Sequence, residues 1–262
     1  MRWYGRHGRD LPWRRTRDPY RILVSEVMLQ QTPVARVLPA YRRFLGRFPT
    51  LAALGRARLG EVLVVWGTLG YPRRARDLHR AARISRRLPM DPAELDLLPG
   101  IGAYTASAVA CFSGGRPVAF ADTNIRRVLG RVFLGRTASE GEAVELDTAL
   151  LPRRAAARWH HALMDLGATV CTSRAPGCAR CPLYACCRAK GADTAPVRRR
   201  QAAFATSDRR VRGAVLRLLR ERRSVPLERV AQLVGDERGP GLVERLRAEG
   251  LVAVRRGWVA LP

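Results

Sequence analysis

Residues 171–187 read "CTSRAPGCARCPLYACC" and hold five of the six cysteines in the chain. The spacing is Cys171-x6-Cys178-x2-Cys181-x5-Cys187, which leaves Cys186 as a spare thiol. The chain opens "MRWYGRHGRD", charged from the start and without an apolar signal region, so a reducing, cytosolic setting is expected. Clustered thiols there point to a metal centre in preference to disulfides. Zinc modules usually pair two short arms across a longer loop. Here one compact loop offers all four ligands, which suits a cubane cluster held by four thiolates. Spacing by itself leaves zinc and iron–sulfur both open, and it does not separate Cys186 from Cys187. Cys111 lies in an apolar run and reads as a core thiol.

Around this loop the chain is strongly basic. Its 262 residues carry a formal net charge of +26, and of the 48 Lys and Arg residues only Lys190 is lysine. Such an excess repels itself unless it meets a polyanion, and nucleic acid is the first candidate. Hydrophobic residues make up 47%, enough for a packed core. No apolar run approaches about 20 residues, so no bilayer-spanning helix is expected. The expectation is a monomeric cytoplasmic protein associated with the nucleoid.

Up to about residue 170 the chain reads as short helices broken by prolines such as Pro19, Pro33, Pro49, Pro72, Pro92 and Pro99. Apolar residues recur between them at helical spacing: Ile22, Leu23 and Val27; Val62, Val65 and Trp66; Val128, Leu129 and Phe133. The domain reading is a mostly α catalytic region over 1–190, a basic linker over 191–207, and a separate unit over 208–262. In that last unit Val211, Val215, Leu218 and Leu219 form a helical stripe. Helices are expected over 225–234 and 241–249, followed by a hairpin around "RRG". Three helices and a hairpin suggest a winged-helix-like module, either a DNA contact or a packing element.

Two further stretches carry chemistry. "LPGIGAYTASAVA", residues 98–110, places Gly100 and Gly102 at a tight turn before a helix whose first amides favour a phosphate. It is followed by "ADTNIRRVLGR", where Asp122 reads either as a helix N-cap or as a functional carboxylate. Glu26, in "ILVSEVMLQQTP", falls among Ile22, Leu23, Val27 and Leu29. An acid in such surroundings is expected to have a raised pKa and to be able to deliver a proton near neutral pH, the other reading being a simple solvated glutamate. Two carboxylates in unlike environments suit an acid and an anion for glycosidic cleavage.

The cysteine pattern resembles that of the helix-hairpin-helix DNA glycosylases related to endonuclease III. "RDLPWR", "SEVMLQQT", "LPGIGAYTA", "MDLGATVC" and the cysteines occur in the order of the MutY-like adenine DNA glycosylases. The resemblance spans roughly residues 2–190. It implies a [4Fe-4S] cluster on Cys171, Cys178, Cys181 and Cys187, with Arg174 and Arg180 on a loop that meets DNA. It implies that Glu26 protonates the adenine at N7 and that Asp122 stabilises the sugar cation. Tyr104 and Asn124 would stand near the reaction centre. Leu11, Trp13, Arg14 and Leu29 would wall the pocket of the flipped base; Trp13 also reads as core. Gln31, Thr32 and Tyr71 would enter the duplex beside the lesion, with core packing the other reading of Tyr71. Gly100 and Gly102 would hold a phosphate. The partner is double-stranded DNA with a mispair or an oxidised base.

The pattern departs from the family in two places. "ADTN" stands where "VDGN" is usual, and a winged-helix-like unit is expected where the family carries a Nudix-like domain that reads 8-oxoguanine. Bifunctional relatives use a hairpin lysine as a Schiff-base nucleophile; Tyr104 stands there, so strand cleavage is not expected. The leading reading is a monofunctional adenine glycosylase acting opposite 8-oxoguanine or guanine. The alternatives are a mismatch thymine, uracil or hypoxanthine glycosylase and, from another class, a non-catalytic binder of damaged DNA.

Overall fold

The computed structural model describes residues 1–190 and 203–262. Most of the expected linker, 191–202, therefore lies outside the described residues. The helices in chain order are α1 (Arg2–His7), α2 (Pro19–Leu29), α3 (Val34–Arg47), α4 (Leu51–Arg56), α5 (Leu59–Trp66), α6 (Pro72–Ile84) and α7 (Pro92–Asp96). They continue with α8 (Ala103–Gly114), α9 (Thr123–Leu134), α10 (Glu140–Leu150) and α11 (Ala156–Thr169). Packing divides the described chain into two compact units. One holds Met1–Leu23, Pro89–Leu97 and the run from Ile101; the other holds Val24–Leu88, Leu98–Gly100 and the C-terminal segment.

In the first unit α8, "AYTASAVACFSG", is built mostly from small residues. Thr105, Ala106, Ala108, Val109, Ala110, Cys111 and Ser113 are all buried. A helix covered on nearly every side must be narrow, which is why no single apolar stripe shows in its sequence. Amphipathic α9 turns Ile125, Val128 and Leu129 inward against Leu163 and Leu166 of α11. Phe133 of the same expected stripe is instead 37% exposed, near the end of the helix. At Gly130 a Cβ would stand 2.2 Å from the Ala138 nitrogen, so only glycine lets the chain return across α9. Helix α10 begins with a reciprocal Ser139–Glu142 capping box.

A buried polar cluster ties these helices together. Asp147 accepts hydrogen bonds from the Phe120 amide (3.1 Å), Trp159 Nε1 (2.7 Å) and His160 Nε2 (2.7 Å). The His160 ring stacks on Phe120 at 3.9 Å. This fixes the extended segment that leads into Asp122.

The second unit packs Phe44, Phe48, Leu54, Val62, Trp66 and Leu78 into its core. Gly55 of α4 lies against α6 so closely that a Cβ would meet the Ala82 oxygen at 2.5 Å. The C-terminal segment belongs to this unit and runs α12 (Asp208–Glu221), β1 (Val225–Pro226), α13 (Val230–Val234), α14 (Gly239–Ala248), β2 (Ala253–Arg255) and β3 (Trp258–Ala260). The sheet order is β1-β3-β2, antiparallel, with Val259 facing both Val225 and Val254. This is the winged-helix order.

The helix expected over 225–234 begins only at Val230. Pro226 holds Val225 extended, and the pair forms an edge strand instead. The β2–β3 turn uses left-handed Arg256 and Gly257, as a two-residue hairpin loop requires.

Candidate active site and cysteine loop

Asp122 is the N-cap of α9. Its Oδ1 accepts from the amides of Asn124 (2.9 Å) and Ile125 (2.7 Å). Its Oδ2 accepts from Asn124 Nδ2 at 2.7 Å. The carboxylate is therefore aimed by its own helix; both lone pairs of Oδ1 are used, while Oδ2 keeps one for another group. Thr123, at the position where "VDGN" has glycine, is the first helical residue, a place that asks nothing special of its backbone. Tyr104 lies on the first turn of α8 and packs edge-on to Phe120 at 5.6 Å. Gly102 caps the same helix, with no side-chain cap on its first amides.

Sequence reasoning missed Arg127. Its Nη2 donates to Asn124 Oδ1 (2.7 Å) and to the Gly167 carbonyl (2.7 Å), and its Nε donates to the Cys171 carbonyl (2.6 Å). One half-buried guanidinium thus joins the Asn124 amide, which holds Asp122, to the end of α11 and the start of the cysteine loop. Burial pushes its pKa down, opposed by Cys171 and Asp122. Gly167 makes the approach possible, since a Cβ there would meet Asn124 Cβ at 2.6 Å. Arg131 sits one turn along α9, with its Nη1 donating to the Thr172 carbonyl (2.7 Å) and lying 3.5 Å from Cys171 Sγ.

Of the expected pocket walls, Leu11 and Trp13 are each 6% exposed. Arg14 is clamped on both oxygens of buried Asp165, at 2.7 and 2.8 Å, and Arg9 Nε joins at 2.6 Å. Burial alone would raise the Asp165 pKa, but Arg14 and Arg9 outweigh it and hold the carboxyl below its ordinary range. His161 stacks on Phe112 at 4.3 Å. Burial first, then Arg14, brings the His161 pKa down to about 3, so the ring is neutral.

All six cysteines of the chain, the five of the loop and Cys111, are free thiols. Cys171, Cys178, Cys181 and Cys187 line one cavity with Val128, Val132, Leu166, Val170 and Leu183. The Cys181 thiol is pushed up by burial and then by Cys171, Cys187 and Cys178, so the four sulfurs feel one another. Cys186 is exposed and donates to the Leu183 carbonyl at 3.3 Å. Its neighbour Cys187 is half-buried and lines the cavity. Among the described residues no three His, Cys, Asp or Glu side chains gather around one point as a single metal ion would need. One zinc demands sulfurs about 2.3 Å from a common centre. A cubane sets each thiolate on its own iron, so its ligands stand further apart around an apolar cavity. Four cysteines around one cavity offer the thiolates that such a cluster would need. Arg174 and Arg180 lie exposed on this loop, and Arg180 Nη2 donates to the Thr169 carbonyl at 2.9 Å. Cys111 is buried, its thiol pushed up to about 12 by desolvation. Exposed Lys190 follows the loop with a left-handed backbone (φ 38°).

In the second unit Glu26 is 7% exposed on α2, and Leu29 ends that helix half-buried. Gln31 and Tyr71 are two of the non-glycine residues with left-handed backbone, at φ 54° and 49°. Both are exposed, Tyr71 by 51%, so core packing does not describe that tyrosine. Strained backbone of this kind concentrates at functional sites. A second arginine that sequence reasoning missed brings this region together. Arg74 Nη1 donates to the carbonyls of Val27 (2.8 Å), Met28 (3.0 Å) and Gln30 (2.6 Å). Its Nη2 reaches Thr32 Oγ1 (3.1 Å) and the Gly70 carbonyl (3.3 Å), and the guanidinium lies 4.9 Å from the Tyr71 ring. Desolvation brings its pKa to about 10. Gly100, at φ 75°, packs on α6, where a Cβ would meet Asp77 Cβ at 2.6 Å. Among the described residues no helix is long and apolar enough to cross a membrane.

Residues 24–153 match the HhH-GPD superfamily of base excision DNA repair proteins. The chain is 47% identical over 231 residues to the adenine DNA glycosylase of Mycolicibacterium smegmatis, covering 84% of this chain and 79% of that protein. It is 44% identical to the adenine DNA glycosylase of Mycobacterium tuberculosis, across 100% of this chain and 92% of that one, so the C-terminal module is included. A thermostable thymine-DNA glycosylase has a similar solved structure, with TM-score 0.64 and 28% identity over 72% of this chain and 92% of that chain. The chain is thus a DNA-binding base excision repair enzyme, a DNA glycosylase, and it belongs to the adenine DNA glycosylase family of the HhH-GPD superfamily.

Proposed function

We propose that this enzyme removes adenine mispaired with 8-oxoguanine or guanine, hydrolysing the N-glycosidic bond and leaving the strand intact. The observation that carries the reading is the Asp122 constellation. A carboxylate fixed by two amides and by Asn124 lies in a chain 47% identical to an adenine DNA glycosylase. The target base must leave the stack, which costs a few kcal/mol and least at a mispair. Glu26 delivers a proton to N7 of the extruded adenine, so that the base departs neutral. The positive charge left on the sugar is met by the Asp122 carboxylate, and water completes the hydrolysis. Asn124 holds that carboxylate, and Tyr104 acts near the reaction centre. Leu11, Trp13, Arg14 and Leu29 hold the base, and Arg14 owes its orientation to Asp165.

Gln31, Thr32 and Tyr71 enter the duplex. The α8 amides next to Gly102 and the turn at Gly100 take a backbone phosphate, and Arg174 and Arg180 add phosphate contacts. Cys171, Cys178, Cys181 and Cys187 hold a [4Fe-4S] cluster, which when bound ties the loop together as a cross-link. The enzyme works as a monomer in the cytoplasm, on the nucleoid.

The test is single-turnover release of base from A:8-oxoguanine, A:G, T:G, U:G and hypoxanthine:T duplexes. Adenine should leave fastest, with a modest preference for 8-oxoguanine over guanine opposite. Glu26→Gln and Asp122→Asn should keep mispair binding and lose at least about a hundredfold in rate. Faster loss of thymine or uracil than of adenine would overturn the assignment.

A further inference from the structure

The C-terminal module meets α6 at Glu249, through both its side chain and its carbonyl. Glu249 closes α14, and its side chain is 11% exposed. Arg212 of α12 grips both of its oxygens at 2.6 Å, and Arg73 of α6 adds a third bond at 2.7 Å. Arg76, also on α6, donates to the Glu249 carbonyl and to Asp77 Oδ1. Bonds to Arg212 and Arg73, against some desolvation, hold the Glu249 carboxyl down at about 2.

The first turn of α6 is a junction. Tyr71 is its left-handed N-cap. Arg74 points the other way from Arg73 and gathers Val27, Met28, Gln30 and Thr32. Asp77 supports the hairpin turn at Gly100. An isolated surface ion pair is worth little. A carboxylate shared by two arginines, with a third on its own carbonyl, fixes the helix in both translation and rotation. Left-handed backbone at Tyr71 and Gln31 persists only where the surroundings over-determine it.

We propose that Glu249 is a positioning residue that holds the first turn of α6, and with it Tyr71 and the Gln30–Thr32 segment, in the geometry that recognises a mispaired duplex. The module then contributes to discrimination without touching the lesion. This rests on the reading of Tyr71 and Gln31 as duplex contacts.

The experiment is a double-mutant cycle on the full chain, read by fluorescence anisotropy with two duplexes. One carries 2′-fluoroadenosine, which resists excision, opposite 8-oxoguanine; the other is fully paired. Glu249→Ala should weaken binding to the mispair about tenfold. Binding to the paired duplex should hold, and single-turnover excision at saturating enzyme should stay within about twofold of wild type. Glu249→Gln, which keeps the shape and is the milder test of folding, should show a smaller loss of the same kind. In a Tyr71→Ala background the Glu249→Ala effect should vanish, because both act through one helix turn. Unchanged mispair affinity in Glu249→Ala, an equal loss on both duplexes, or full additivity with Tyr71→Ala would overturn the inference alone. Full mispair affinity in Tyr71→Ala itself would overturn the duplex-contact reading and this inference with it.

Discussion

Arg127 in one unit and Arg74 in the other are both half-buried guanidiniums that collect oxygens from helix ends and loops. Arg127 takes carbonyls of Gly167 and Cys171 and the Asn124 amide oxygen. Arg74 takes carbonyls of Val27, Met28, Gln30 and Gly70 and the Thr32 hydroxyl. Helix C-termini leave such oxygens without intrahelical partners, and the five donors of arginine suit them. The difference lies in what each one holds. Arg127 stands behind the carboxylate that would meet the sugar, whereas Arg74 stands behind the strained residues that would meet the duplex. Arg74 is also less complete, since its Nε is buried with no hydrogen-bond partner. One device, used twice, would support chemistry in one place and recognition in the other.

That contrast can be broken most directly by Arg127→Met and Arg74→Met. Each strands several buried acceptors, so each should cost about 3–5 kcal/mol of stability and lower Tm by roughly 10 °C. Arg127→Met should also slow single-turnover excision about a hundredfold with mispair affinity nearly kept, as expected for a displaced reacting group. Arg74→Met should do the reverse and lose affinity more than rate. The same pattern for both variants would erase the distinction.

Gly167→Ala sharpens the Arg127 half alone. The new methyl would press on Asn124 at 2.6 Å, so a cost of about 1–3 kcal/mol is expected. Excision should fall with little change in binding; a variant with wild-type rate would show that Asn124 tolerates displacement. A pH titration of stability addresses His161, beside Arg14. Its folded pKa of about 3 lies below the ordinary 6.5, so the unfolded chain binds the extra proton first. Stability is therefore full above pH 6.5 and falls as the solution is acidified towards pH 3, by about 1–2 kcal/mol at pH 5. His161→Gln should flatten that slope, and an unchanged slope would place the acid sensitivity elsewhere. The smallest effect belongs to Cys186→Ser, which should shift stability by no more than about 0.5 kcal/mol and keep the iron content. Cys187→Ser should lose the iron, and equal iron in both would remove Cys187 from the ligand set.

The two arginines also mark the limit of what could be read from residues alone. Asp122 was legible because an aspartate before "TNIRR" is a cap signal whatever else it does. The winged order was legible from the stripe at Val211, Val215 and Leu219 and the "RRG" turn. The helix expected over 225–234 loses Val225 to the sheet because of the restriction Pro226 places on it. Arg127 and Arg74 gave no signal. In a chain where nearly every base is arginine, those that hold carbonyls and those that face DNA look alike. Only burial separates them. Asp147 and His160 were hidden for a related reason, since buried polar pairs follow tertiary contacts and not local spacing.

Lys190 gives the molecule an unusual practical handle. It is the sole lysine, it is exposed, and it follows directly on the cysteine loop. An amine-directed dye or cross-linker therefore has one side chain to find. A fluorophore installed there would report from beside the loop without any engineered cysteine, which would risk confusion with the six native thiols. Reagents that cut after lysine would yield two fragments, residues 1–190 and 191–262, a convenient way to weigh the part that ends with the loop apart from the rest.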